Sequence, residues 1–253
     1  MSKNLDLPLI DLSSTDRAAA ARSIRQACVE YGFFYLINHG IEDGVFRKLF
    51  EESKKFFSLP LDEKMKLERN GAHRGYTPMY AETLDPSSKF EGDLKESFYI
   101  GPEEGSNLQN NNQWPSEGEL AASDYGNFGA SAHSDYGMVT LLVTDGVPGL
   151  QICREKDKHS QLWEDVHHVD GAFIVNVGDL LERWTNCLFR STLHRVLAVG
   201  QERYSVAFFC DPHYDCVVEC LESCCGETSP PRFPPIRCGD HLEERIRTSY
   251  ASK

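Results

Sequence analysis

Met138-Val139-Thr140-Leu141-Leu142-Val143 opens the part of the chain that decides its fold. Further apolar runs follow at Leu150 to Cys153, Ala172 to Val177, Ser191 to Val196, Tyr204 to Phe209 and Cys216 to Cys220. Gly and Pro turns separate them, and no long helical pattern lies between. Short runs bounded by breakers read as buried strands. Six or more in succession predict a sandwich or jelly roll rather than a parallel α/β sheet.

Upstream of this half the texture is mixed. Leu7 to Leu12 reads as a short strand ending in Ser13-Ser14, which is expected to cap the next helix, and Asp16 to Tyr31 as that helix, with Ile24, Ala27, Cys28 and Tyr31 on one face. Gly32 stops it. Phe33 to Ile37 follows as a buried strand ending in the turn Asn38-His39-Gly40, and helices are expected over Asp43 to Phe57 and Leu61 to Arg69. From His73 to Gly118 the chain is loop-rich, with a polar connector at Asn110 to Pro115. The expected architecture is mainly β with flanking helices: a mixed α/β N-terminal region, 1–118, and an all-β region, 119–253.

Composition narrows the function. The 253 residues are 40% hydrophobic and 11% aromatic, enough to bury a core, and the formal net charge is −13. Such a charge repels a phosphate backbone, so no nucleic-acid partner is expected. No apolar stretch is long enough to cross a bilayer and no secretory signal is visible, so the expected location is the cytoplasm, with no membrane partner. Nine cysteines, an odd number, then read as free thiols. Cys216, Cys220, Cys224 and Cys225 lack the paired spacing of a zinc ribbon and read as ordinary thiols.

Chemistry enters with His133-Ser134-Asp135 at the mouth of the strand-rich half. In extended backbone, residues i and i+2 share a face, so both side chains can reach one metal ion. Alone the pattern is common. His194, in the strand-like run Phe189 to Val196, supplies a second imidazole. Two histidines and one carboxylate on one side of a metal leave the remaining positions open for substrate and dioxygen. A closed zinc site would ask for four protein ligands. Nine residues after His194, Arg203-Tyr204-Ser205 places a guanidinium and a hydroxyl on one strand face, together with Ala207 and Phe209. That pair suits the far carboxylate of a 2-oxo acid whose keto-acid end chelates the metal.

These residues, in this order, resemble the plant and fungal 2-oxoglutarate/Fe(II)-dependent dioxygenases related to isopenicillin N synthase. The resemblance runs through Leu7 to Asp11, Gly32 to Gly40, Lys55 to Pro60, Arg74-Gly75-Tyr76 and Lys95-Glu96-Ser97-Phe98. It continues through His133 to Gly137, Asn176-Val177-Gly178-Asp179, Ser191 to Val196 and Arg203 to Ser205. It implies a double-stranded β-helix, with His133, Asp135 and His194 on Fe(II) and Arg203 with Ser205 on 2-oxoglutarate. Phe209 would line the substrate pocket. The implied reaction consumes dioxygen and 2-oxoglutarate, releases succinate and CO2, and hydroxylates, desaturates or dealkylates a small organic molecule.

The resemblance breaks at one place. Only 17 residues, Ser116 to Ala132, separate Trp114-Pro115 from His133. Family members have several tens there, holding a long helix behind the sheet and a strand with a Tyr that contacts 2-oxoglutarate. Ala121 to Phe128 does not read as that strand. Losing both would uncover an apolar sheet face and an unpaired strand edge. The alternative function is therefore a truncated, inactive or weakly active relative acting as a binding or regulatory protein. A zinc hydrolase using the same ligands would lack a general base and leave Arg203 to Ser205 without a role.

Overall fold

The computed structural model describes residues 5–84, 92–101, 112–115, 130–156 and 161–250. Its main sheet has five strands, in the order β1-β2-β8-β5-β10. Two come from the N-terminal region, β1 (Leu9–Asp11) and β2 (Phe33–Ile37); the others are β5 (Val139–Thr144), β8 (Phe173–Val177) and β10 (Ser205–Cys210). β2 pairs antiparallel with β8, Tyr35 opposite Ile174, so the N-terminal region is built into the same sheet as the strand-rich half. A second sheet faces it, β7 (Glu164–Asp165), β6 (Leu150–Cys153) and β9 (Leu193–Val196) in that order.

Strand alternation sends side chains two ways. Phe33, Tyr35, Ile174, Leu150 and Ile152 fill the space between the sheets, joined by Leu142 and Val196. Phe34, Phe173, Val175, Val177 and Val143 point to the outer face, where Ala27 and Cys28 of α1 (Arg17–Glu30) and Phe46 and Phe50 of α2 (Asp43–Phe57) cover them. α1 is capped by Asp16, whose carboxylate accepts from the Ala19 amide at 2.8 Å, and not by the expected Ser13-Ser14, because the Ser13 hydroxyl donates back to Asp11 instead. It ends at Gly32, whose φ of +69° and close approach to the Arg190 carbonyl and the Thr192 hydroxyl leave no room for a Cβ.

The jelly roll and its flanking helices agree with the sequence reading; several boundaries do not. The third helix, α3, is only Leu61–Met65. The segment expected to be loop holds a hairpin, β3 (Gly75–Thr77) with β4 (Ser97–Tyr99). A short helix, α4 (Asp179–Trp184), follows β8 directly. The expected strand Cys216 to Cys220 shrinks to β11 (Val217–Val218), paired with β12 (Ile236–Arg237), and the last helix, α5, runs over Cys238–Tyr250. The expectation for Ala121 to Phe128 falls outside the described residues. No helix among those described is long and apolar enough to cross a membrane.

β10 behaves unlike its neighbours. All five residues of β8 are buried, whereas Ser205, Ala207, Phe208 and Phe209 are exposed, Phe208 by 63%. Among the described residues β10 has one strand neighbour, β5. Phe208 lies opposite Leu141, on the helix-covered side of the sheet, beyond the reach of α1 and α2.

Candidate metal and co-substrate site

The site sits between the two sheets at one end. His133 and His194 are backbone partners: each amide donates to the other's carbonyl, at 2.9 and 2.8 Å. This bridge, with the Val196 amide donating to the Ala130 carbonyl, attaches the 130–136 segment to β9. It places both imidazoles side by side, ring centroids 4.3 Å apart. Asp135 completes the group. Its Oδ1 stands 3.7 Å from His133 Nε2 and 3.5 Å from His194 Nε2. Among the described residues this is the one cluster of three or more His, Cys, Asp or Glu able to share an ion. The three ligand atoms all lie within 4.8 Å of one another, close enough to share one ion.

The histidine tautomers suit a metal. His133 Nδ1 faces the Ser131 carbonyl at 2.7 Å and His194 Nδ1 the Thr192 carbonyl at 3.2 Å. A carbonyl can only accept, so each Nδ1 carries the proton and each Nε2 lone pair turns inward. Burial, and then the neighbouring His194, push His133 down to about 3, so it is neutral. Burial opposes charge on His194 too, but the Asp135 carboxylate outweighs it and raises that imidazole above its ordinary value. For Asp135, burial favours the neutral acid; the histidines and the Asn176 amide reverse this and hold it well below the usual carboxylate range.

The other carboxylate oxygen, Oδ2, is fixed from behind. Thr140 Oγ1 donates to it at 2.5 Å and Asn176 Nδ2 at 2.7 Å. Thr140 and Asn176 stand directly opposite each other on β5 and β8, both pointing between the sheets. With Oδ2 occupied twice, Oδ1 is left as the one metal-facing oxygen. The rest of Asn176-Val177-Gly178-Asp179 secures the same loop. Gly178 packs so close to the Gly137 carbonyl that a Cβ would overlap it, and the Asp179 amide donates to the Asp135 carbonyl at 2.8 Å. In the sequence this run stood out as part of the resemblance. Its role as the support of Asp135 needed the cross-strand register, which spacing alone does not reveal.

Arg203 and Ser205 lie at the start of β10. Arg203 precedes the strand rather than sitting in it. Its guanidinium is largely buried, and its Nε has no hydrogen-bond partner among the described residues. Asp145, bonded to the Tyr204 amide at 3.0 Å, is the carboxylate that makes itself felt there, without forming an ion pair. Ser205 is exposed and opposes Thr144. Phe209 opposes Thr140, on the side of β10 that faces the metal ligands, and is 49% exposed. His39 is a structural hydrogen-bonder, its Nε2 facing the Gly171 carbonyl at 2.8 Å. His168 Nδ1 faces Thr144 Oγ1 at 2.9 Å; neither His39 nor His168 joins the metal cluster.

Comparison with known proteins agrees with this geometry. Residues 7–117 match the family described as non-haem dioxygenase in morphine synthesis N-terminal, and residues 105–212 match the 2OG-Fe(II) oxygenase superfamily. Kihadalactone A synthase LFS of Citrus sinensis is 36% identical, over 96% of this chain and 92% of its own length. The 2-oxoglutarate-Fe(II) type oxidoreductase hxnY of Emericella nidulans is 31% identical over 96% and 90%. Among solved structures, a full-length Neurospora crassa protein in complex with alpha-KG superimposes with a TM-score of 0.81 at 25% identity, covering 98% of both chains. The chain belongs to the 2-oxoglutarate/Fe(II)-dependent oxygenases. Its cofactor is Fe(II), its co-substrates are 2-oxoglutarate and dioxygen, and its substrate is a small organic molecule.

Proposed function

We propose that His133 and His194 through Nε2 and Asp135 through Oδ1 hold the iron, and that Arg203 and Ser205 bind the far carboxylate of 2-oxoglutarate. Phe209 forms part of the wall against which the substrate lies. The convergence of three donors with both histidine tautomers fixed carries this reading. Bound Fe(II) and 2-oxoglutarate supply the oxidising chemistry, with dioxygen consumed and succinate and CO2 released. The protein's part is placement. With all three donors on one side, a bound metal would stay open on the other to the keto acid and dioxygen. Thr140 and Asn176 keep Asp135 ionised and one-sided, and the largely buried Arg203 guanidinium gains a charge-assisted partner when the co-substrate arrives.

The outcome on the substrate is oxidation at a C–H bond: hydroxylation, desaturation or dealkylation. Relatives in this family differ in what they act on; the Neurospora crassa protein has been crystallised with thymine, whereas the Citrus relative is named a kihadalactone synthase. We also read residues 116–132 as an internally shortened segment. The exposed β10 supports this, as does an alignment with the Citrus relative that runs over 308 positions, more than the 253 residues of this chain. An active oxygenase remains the favoured reading, because the ligand cluster and its supports are intact.

Anaerobic titration with Fe(II) and 2-oxoglutarate tests the assignment. A visible metal-to-ligand charge-transfer band is expected, absent in His133→Ala. Arg203→Ala should weaken the 2-oxoglutarate titration by roughly tenfold or more while metal binding persists. No band in the folded wild-type protein, or unchanged titrations in both variants, would overturn it.

A further inference from the structure

Asp93 lies in the connection between β3 and β4, within the N-terminal region, yet at 3% exposure it is buried more deeply than any of the three metal ligands. A buried carboxylate is costly unless donors surround its oxygens. Here Oδ2 accepts from the Leu84 amide at 3.2 Å, which ties the residue to its own loop. Oδ1 is turned the other way. It accepts from the Ser131 amide at 3.2 Å and from the Ser131 hydroxyl. Both donors belong to a single residue, 38 positions further along the chain and two before His133.

The backbone of Asp93 is fixed as well. Its amide donates to the Glu82 carbonyl at 2.8 Å, and its carbonyl accepts from the Tyr80 and Lys95 amides at 3.0 and 2.8 Å. The carboxylate is thus an anchor rather than a side chain that follows its partner. What it anchors has little other support. Ahead of His133, among the described residues, the segment has two hydrogen-bonded attachments: the Ala130 carbonyl, which accepts from the Val196 amide of β9, and Ser131 on Asp93. The Ser131 carbonyl in turn accepts from His133 Nδ1 at 2.7 Å. Amide and hydroxyl bonded to one oxygen hold both the backbone and the side chain of Ser131, and with them the direction of that carbonyl. The carbonyl sets the plane and tautomer of the His133 ring, and so the aim of its Nε2. A carboxylate does this more firmly than a neutral acceptor, because its hydrogen bonds are charge-assisted.

We propose that Asp93 is a positioning residue of the metal site, setting the orientation of His133 through Ser131. The N-terminal region then takes part in the ligand geometry as well as in the shared core. The proposal rests on the metal reading for its consequence, whereas the orientation of the ring is a property of the chain alone.

Asp93→Ala and Ser131→Ala can be compared with the wild type in two measurements. On the metal-free protein, long-range nitrogen–proton correlation NMR reads the tautomer of each imidazole. Wild-type His133 is expected with its proton on Nδ1, and both variants with a mixture of tautomers. His39, whose Nε2 is bonded to the Gly171 carbonyl, should stay as it is and serves as the reference. Calorimetric titration with Mn(II) in place of Fe(II) should show affinity lowered roughly 10- to 100-fold in Asp93→Ala. In Ser131→Ala the loss should be roughly three- to tenfold, with Ser131→Thr close to the wild type because its hydroxyl is kept. A purely structural role for Asp93 would lower Tm and leave both readouts of the folded protein alone. An unchanged His133 tautomer in both variants overturns the proposal, as does unaltered Mn(II) affinity in both. Should Asp93→Ala fail to fold, Ser131→Ala, which removes one hydroxyl, decides by itself. A wild type that takes up no Mn(II), with His133 still redistributing its proton in the variants, would sink the metal assignment and leave the tether standing. Mn(II) binding with no response in either variant would sink the tether alone.

Discussion

Asp135 shows how one side chain is given a direction. Its two oxygens are chemically equal in water; here Thr140 and Asn176 claim Oδ2 and leave Oδ1 for the metal. Asn176→Ala should therefore weaken Mn(II) binding, used as a redox-stable probe, by roughly 10- to 100-fold, with Asn176→Asp restoring little because a second carboxylate cannot donate. Calorimetric titration reads both. The histidine next to it sets the pH dependence. Burial disfavours a proton on His194, but Asp135 raises its affinity above the ordinary value of 6.5. In the metal-free chain that proton contributes stability that is complete below 6.5 and is lost as pH rises through the raised value. Metal must displace it, so apparent Mn(II) affinity should climb with pH through about 6.5 and on to the raised value, by up to about tenfold per unit, until the imidazole is neutral in the free protein. A flat profile over that range would remove His194 from the ligand set. The sequence made the three ligands legible because His-x-Asp on extended backbone fixes two of them to one face. Thr140 and Asn176 were not legible, since they lie 36 positions apart in the chain and only strand pairing sets them opposite each other.

At the level of elements, strands with buried residues on both faces were the easiest to read: β2, β6 and β8 fall within the apolar runs that announced them. The hairpin β3–β4 was hidden by the Gly, Pro and Asn around it, and α4 by its brevity, for six residues carry too little periodicity to recognise. Arg203 was placed on a strand that in fact begins two residues later, at Ser205, a boundary that apolar alternation does not sharpen. β10 carries the practical consequence of the short connection before His133. Among the described residues no helix lies over its outer-face Phe208, and an exposed apolar strand favours self-association. Phe208→Lys should reduce concentration-dependent association in sedimentation velocity while leaving Mn(II) affinity within about twofold, because the side chain points away from the ligands. Association unchanged by the substitution would show that another surface drives it.

For the whole molecule, the N-terminal strands β1 and β2 and the catalytic strands β5, β8 and β10 form one sheet, so the two sequence regions share one core. Ligands that bind only the folded chain draw on that shared stability. At one hundred times the dissociation constant, a single ligand stabilises by about 2.7 kcal/mol, which in a chain of this size raises Tm by roughly 5–10 °C. Differential scanning fluorimetry with Mn(II) and 2-oxoglutarate should show such a rise over a chelated sample, and a larger one for both ligands than for either alone. The mutual amide bonds of His133 and His194 make the source of that rise local. They are the outer rung of a short ladder whose next step is the Val196 bond to Ala130, and an ion gripped by the two rings acts as a rivet through its end. Deuterium uptake at these two amides should be rapid and simultaneous in the stripped protein, and slow in step when metal is added, so that loss of the ion and fraying of the rung are a single event.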